Sequence, residues 1–259
     1  MKIHLAGAEQ SYEYLEQVMK YNNNKLNWNL YSYIGLKDNP LAYEKFLITS
    51  NASRSVLIDS GAFSFQSGRG KPNWIKYTKE YANFIQENDN EKIHGYFEMD
   101  IDNIIGYDNV LILREMLDEV TDKIIPVWHR NRGIKDFKET CEKYNYISVT
   151  GKSCDINTDQ FKMFVDYAHK HNTRIHGLGI TGKVMLNKVP FDSVDSTTWL
   201  SGVRYAHMDN QQLDSEYTSN NRHKICALSY IRWMKKQNDY YRKWYKVCDW
   251  ERTDGKKYL

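Results

Sequence analysis

The sequence predicts an α/β protein, a single (β/α)8 TIM-type barrel over residues 1–259 with a basic, aromatic helical segment at its C-terminal end. Three observations lead there. The length of 259 residues is close to the roughly 250 that such barrels use. Short β-rich runs alternate with longer helical patterns, the signature of βα units around a parallel sheet. The candidate strands number about eight, enough to close a sheet on itself.

The strands are expected at Ile3–Ala6, Asn29–Ile34, Val56–Asp59, His94–Met99, Ile124–Trp128, Tyr146–Val149, Arg174–Leu178 and Asp192–Asp195. Helical patterns fall between most of them, at Lys76–Asn88, Val110–Val120, Ile134–Tyr144 and Asp159–His171. Residues 214–259 form a C-terminal extension. Within it Ile225–Tyr245 is helix-prone, with Leu228, Ile231 and Met234 at three-residue steps. From Arg222 to Leu259 there are 11 Lys and Arg against 4 Asp and Glu. Aromatic residues interleave these charges, as in Tyr240-Tyr241-Arg242-Lys243-Trp244-Tyr245. Such a stretch reads either as a closing barrel helix with a solvated basic face or as a phosphate-facing surface carrying Arg232, Lys235, Arg242 and Lys243.

Composition narrows the class. Hydrophobic residues make up 41% and charged residues 27%, as in globular proteins that dissolve in water. The net charge of +3 creates no global field, so a nucleic-acid partner must be argued from local charge. Cys141, Cys154, Cys226 and Cys248 show no C-x-x-C spacing, which suggests reduced thiols and no metal site. No apolar run approaches a membrane span, and Met1–Ala6 reads as a strand, not a signal peptide. These features predict a cytoplasmic protein with no membrane partner.

In such barrels catalytic side chains project from the C-terminal ends of strands. Val56-Leu57-Ile58 ends in Asp59-Ser60-Gly61-Ala62-Phe63, and Tyr96-Phe97-Glu98-Met99 ends in Asp100-Ile101-Asp102. Ile125-Pro126-Val127 ends in Trp128-His129-Arg130, and the last strand ends in Asp195-Ser196-Thr197-Thr198. Carboxylates thus end three strands and are expected to converge on one mouth. A glycosidic bond breaks through an oxocarbenium-like centre, which one carboxylate can attack while another moves protons. A third acid can accept from the N–H edge of a purine.

Asp59-Ser60-Gly61-Ala62-Phe63 closely resembles the Asp-Ser-Gly-Gly-Phe signature of tRNA-guanine transglycosylases. Asp192-Ser193-Val194-Asp195-Ser196 is similar to that family's late Asp-x-x-Asp segment, and Met99-Asp100-Ile101 resembles its base-reading strand end. Val149-Thr150-Gly151 and Gly177-Leu178-Gly179 match its glycine-containing base-pocket turns more weakly. The resemblance runs from about Ile58 to Ser196. It implies Asp195 as the nucleophile on C1′ and Asp59 as the proton handler. It also implies Asp100 and Asp102 as base readers, with Ser60, Phe63, His129, Gly151 and Gly179 completing the base pocket.

The sequence departs from that family in three ways. The zinc-binding cysteine and histidine cluster, the appended RNA-binding domain and the late arginine segment are all absent, the last replaced by Ser196-Thr197-Thr198-Trp199. These losses point to the compact, phage-type DNA-guanine transglycosylases, which insert 7-deazaguanine bases into DNA without a cofactor. The expected partners are therefore DNA and a free 7-deazaguanine base, of the 7-cyano or 7-amidino/formamidino kind, in a bacterial host. Extruding a guanine from a duplex costs a few kcal/mol. The basic tail, with Arg69 and Lys71 in the loop after the first motif, offers compensating phosphate contacts. The alternatives are the same reaction on tRNA, a nucleic-acid-binding barrel without catalysis, and an unrelated barrel hydrolase of sugars or nucleosides. Gly177-Leu178-Gly179-Ile180-Thr181-Gly182 has the dinucleotide G-x-G-x-x-G pattern, but the acidic residues after its last glycine, Asp192 and Asp195, stand closer than the expected spacing of about twenty. Gly151-Lys152-Ser153 lacks the earlier glycine of a phosphate loop, because position 146 is Tyr.

Overall fold

The computed structural model describes residues 1–67, 70, 72–150, 156–208 and 211–248. Arg69, Lys71 and Gly151 lie outside the described residues, as does Cys154. Its main sheet is formed by β1 (Lys2–Ala6), β2 (Leu26–Ser32), β3 (Ser53–Asp59), β4 (Ile93–Phe97), β5 (Ile124–Ile125), β6 (Val127–Trp128), β7 (Tyr146–Thr150), β8 (Arg174–Leu178) and β9 (Ser193–Ser196). Neighbouring strands run parallel in the order β5-β4-β3-β2-β1-β9-β8-β7-β6.

The two ends of that order, β5 and β6, are one stretch of chain broken at Pro126. The ring therefore closes as the eight-strand barrel the sequence predicts. Ile124–Trp128 is expected as one strand, but proline has no N–H to give the ladder. The break is repaired from both sides. Ser148 N donates to the Pro126 carbonyl at 2.8 Å. The buried Glu98 carboxylate accepts from Val127 N at 2.5 Å and is gripped by Arg114 through Nε at 2.6 Å and Nη2 at 3.1 Å.

Strand alternation sorts the side chains. Outward residues such as Ile3, Leu5, Ile147, Ile175 and Val194 are fully buried under the helices, which supplies the apolar core. The inward positions of β1, β7, β8 and β9 are unusually polar: Lys2, His4, Ser148, His176 and Ser193 are all buried. Barrel interiors are more often filled by branched apolar residues. Several of these polar atoms bond within the barrel instead, as Ser148 Oγ does to the His176 carbonyl at 3.3 Å and His176 Nδ1 to Ser193 Oγ at 2.5 Å.

The expected helices are present, at Trp74–Asn88, Tyr107–Asp118, Gly133–Lys143 and Thr158–Lys170, each extended or shifted by a few residues at its ends. Asn73 caps the first and Asn157 forms a full capping box on the last. The C-terminal helix spans Arg222–Cys248. It closes the outer layer, running from the mouth, where Ser229 Oγ donates to the Trp199 carbonyl at 2.6 Å, to the opposite end, where Cys248 Sγ reaches the Phe191 carbonyl at 3.3 Å. Midway, buried Gln237 donates through Nε2 to the carbonyls of Ile3 at 2.7 Å and Trp28 at 3.0 Å. Among the described residues, no helix is long and apolar enough to cross a membrane.

Candidate active site

The strand registers bring the C-terminal ends of the barrel strands to one level. Ser32 pairs with Asp59 across β2 and β3, and Leu5 pairs with Ser196 across β1 and β9. Above that level lies a cavity of about 770 Å³, within the roughly 300–1,000 Å³ that small-molecule sites occupy. Asp59, Asp100 and Asp195 line it together, as the sequence predicts, with Phe63, His129 and Gly179. Phe63 is 41% exposed and offers its ring to the opening.

The three aspartates sit in different electrostatic settings. Burial raises the carboxyl of Asp59 to about 7, and the nearby charges of Asp100, Asp195 and Glu9 push the same way against a hydrogen bond from the Gly61 backbone. That turn requires glycine. Gly61 has φ +74°, and a Cβ there would stand 2.5 Å from Ile34 Cγ2. Asp195 is held differently. Its Oδ1 accepts from Gly179 N at 2.6 Å and from His176 Nε2 at 3.3 Å. Gly179, at φ +67°, turns its N–H onto that oxygen.

Asp100 contacts His129, Oδ1 to Nε2, at 2.7 Å. Burial alone would lower the imidazole, but the hydrogen bond and charge of Asp100, with Asp102 behind it, hold it above its ordinary value. Arg132 Nη2 donates to Asp102 Oδ2 at 3.1 Å, and its guanidinium lies 3.9 Å from the centre of the Tyr107 ring. Asp100, Asp102 and His129 place three potential ligand atoms within 4.8 Å of one another. Asp100 and Asp102 thus face His129 and Arg132 in one buried polar network.

Several expected residues stand elsewhere. Ser60 is fully buried, donates through Oγ to the Glu98 carbonyl at 2.8 Å and does not line the cavity. Its motif position reflects this tie between strand ends, which corrects its expected place in the base pocket. Asp102 also lies behind the wall, where it orients His129 and Arg132. On the C-terminal helix Arg232 and Lys235 are exposed near the middle. Lys243 is occupied at the end away from the mouth, where Nζ donates to Asn187 O at 3.0 Å and Oδ1 at 2.7 Å. Arg242, one residue before it, shares that end. The basic end of the helix therefore does not face the cavity, because the helix runs from the mouth towards the strand starts.

Glu9, Ser32, Asn103, Arg130 and Arg204 line the cavity without having been expected there. Glu9 Oε2 accepts from Ser32 N at 3.2 Å, and Ser32 Oγ donates to Asp59 Oδ2 at 3.5 Å. Burial raises the Glu9 carboxyl as well, against the hydrogen bonds it receives. For Glu9 the signal was available: it follows the end of β1, the same rule that singled out Asp59.

No protein-family model matches the chain, and no curated protein is similar to it in sequence. Among solved structures it is similar to a candidate fructose-1,6-biphosphate aldolase from Coccidioides immitis, with a TM-score of 0.56 and 9% identity over 92% of this chain and 89% of that one. At that identity the likeness concerns the fold, and it agrees with the TIM-type barrel.

Proposed function

We propose that this protein is a DNA-guanine transglycosylase that exchanges guanine for a 7-deazaguanine base through a covalent aspartyl intermediate. The observation that carries the reading is the convergence of Asp59, Asp100 and Asp195 on one cavity, with the Asp59 carboxyl raised to about 7. Paired carboxyl groups in contrasting environments are the working parts of double-displacement glycosyl transfer.

The steps balance. Asp195 attacks C1′ through Oδ2 as the C1′–N9 bond breaks, and the guanine anion takes the Asp59 proton. The incoming base then returns its N9 proton to the Asp59 carboxylate, attacks C1′ and releases Asp195. Asp100 accepts from the N–H edge of the base, held in place by His129, and Phe63 stacks on its face. Arg130 and Arg204, at the cavity wall, suit the phosphates flanking an extruded nucleotide. The preference for DNA rests on Ser196-Thr197-Thr198-Trp199 standing where the resembled family carries its arginine segment, and on residues 1–259 holding no closely spaced cysteine and histidine cluster.

The test offers guanine-containing DNA, tRNA and free guanosine separately with a labelled 7-deazaguanine. Label in DNA supports the proposal. Label in tRNA alone assigns the reaction to the other polymer, and turnover of free guanosine alone refutes both. Asp195→Ala must abolish the exchange, and hydroxylamine must fail to release a trapped adduct from that variant.

A further inference from the structure

We propose that His176, inside the barrel behind the cavity, is a positioning residue for Asp195, at the head of a one-way chain of hydrogen bonds that leaves one carboxylate oxygen for attack. This rests on the reading of Asp195 as nucleophile. His176 is fully buried on β8, and its neighbour across the sheet is Ser193 on β9. Its Nε2 lies 3.3 Å from Asp195 Oδ1, its Nδ1 lies 2.5 Å from Ser193 Oγ, and Ser193 Oγ in turn contacts the Tyr146 hydroxyl.

The direction of this chain follows from chemistry. As the attacking carboxylate of the proposed reaction Asp195 only accepts, so His176 Nε2 carries a hydrogen. In the neutral ring Nδ1 then has to accept, so Ser193 donates to it. The serine oxygen is left to accept from Tyr146. Tyr146, Ser193 and His176 therefore all direct their donors towards Asp195. With the Gly179 N–H on the same atom at 2.6 Å, Oδ1 holds two donors. Among the described residues no hydrogen bond reaches Oδ2, which is the oxygen free to meet C1′.

The surroundings lock the ring. Phe97 meets it edge-on at 5.0 Å between centroids, and His4 stands 6.3 Å away. Burial keeps His4 well below its ordinary value and hence neutral at pH 7, with the nearby imidazole of His176 acting in the same direction. A strand-centre histidine with no opening to the cavity is easily taken for filling. Its two bonded nitrogens distinguish it from His4, whose ring nitrogens have no hydrogen-bond partner among the described residues.

The experiment has two arms. In the first, ¹⁵N NMR of the whole protein reads the His176 tautomer, which is expected to be Nε2–H. Ser193→Ala is expected to shift the Nδ1 resonance. An Nδ1–H ring, or an imidazolium at pH 7.5, overturns the proposal. In the second, exchange is measured in His176→Phe, which keeps the bulk but removes the donor, and in His176→Gln, whose amide can donate from near the Nε2 position. Loss of a hydrogen bond to a charged group corresponds to about 10–100-fold, expected in kcat with KM unchanged. His176→Gln should recover most of it. Equal kcat in His176→Phe and wild type, with the folded spectrum intact, overturns the proposal while leaving the transglycosylase reading in place. Absence of exchange in the wild type refutes that reading instead, and the tautomer arm still decides the hydrogen-bond chain.

Discussion

Replacing Asp59 by Asn should stabilise the protein at alkaline pH and leave it almost unchanged in acid. The folded carboxyl titrates at about 7 against an ordinary 3.8, because burial and neighbouring negative charges disfavour its ionised form. Between those two values the native state holds a proton that the unfolded chain has released. Stability therefore falls as pH rises through this window, the reverse of a salt-bridged aspartate. About three decades at ~1.4 kcal/mol each give roughly 4 kcal/mol as the ceiling. Asp59 borders the cavity, where solvent shields it partly, so the expected gain for Asp59→Asn is about 2–4 kcal/mol above pH 8. Below pH 4 the two proteins should match, since an amide and a protonated acid are similar in size and both neutral. Urea unfolding at intervals from pH 4 to 9, taken as the difference between variant and wild type, measures this directly. A flat difference curve, or a variant less stable at pH 8, would refute the assignment of Asp59 as a destabilised, proton-holding acid.

In the proposed exchange the same group sets the activity profile: kcat/KM for guanine release should fall about tenfold per pH step above pH 7 as the acid form is lost, and stopped-flow rates from pH 6 to 9 check it. Glu98→Gln should cost about 3–5 kcal/mol, because it strands the buried Arg114 guanidinium, and thermal unfolding of the variant measures that loss. Arg204→Ala should weaken the proposed DNA binding and reduce the salt slope of log K by about 1 if the side chain neutralises one phosphate, as titrations over a salt series would show.

Much of the barrel was legible because strand and helix periods differ and the strand-end rule is geometric. Asp59, Asp100 and Asp195 could be placed at one mouth from their positions after apolar runs alone. Ser60 could not be separated from them, since adjacent residues of a turn look alike in sequence while one faces the cavity and the other a neighbouring carbonyl. Ser32 was hidden by a boundary error: with the second strand drawn to Ile34, it appeared to lie inside the strand. The break at Pro126 was readable from proline chemistry, but its repair by Glu98 and Arg114 depends on contacts between three strand and helix segments. The destination of the basic helix was not encoded in its charge pattern. Its direction is set by where Ser229, Gln237 and Cys248 find acceptors, and those acceptors lie far away in the chain.

Gln237 also bears on how the protein is made. It bridges the carbonyls of Ile3 and Trp28, and β1 finds its second neighbour only in Ser193–Ser196. At ribosomal rates of about 5–20 residues per second, roughly 10–40 s separate the synthesis of β1 from that of β9. Throughout that wait the first strand has one edge without a mate, a template for unwanted pairing between nascent chains. Crowded polysomes translating this message are therefore where the protein is most exposed to aggregation, and slower elongation over the second half of the message should lower the soluble yield.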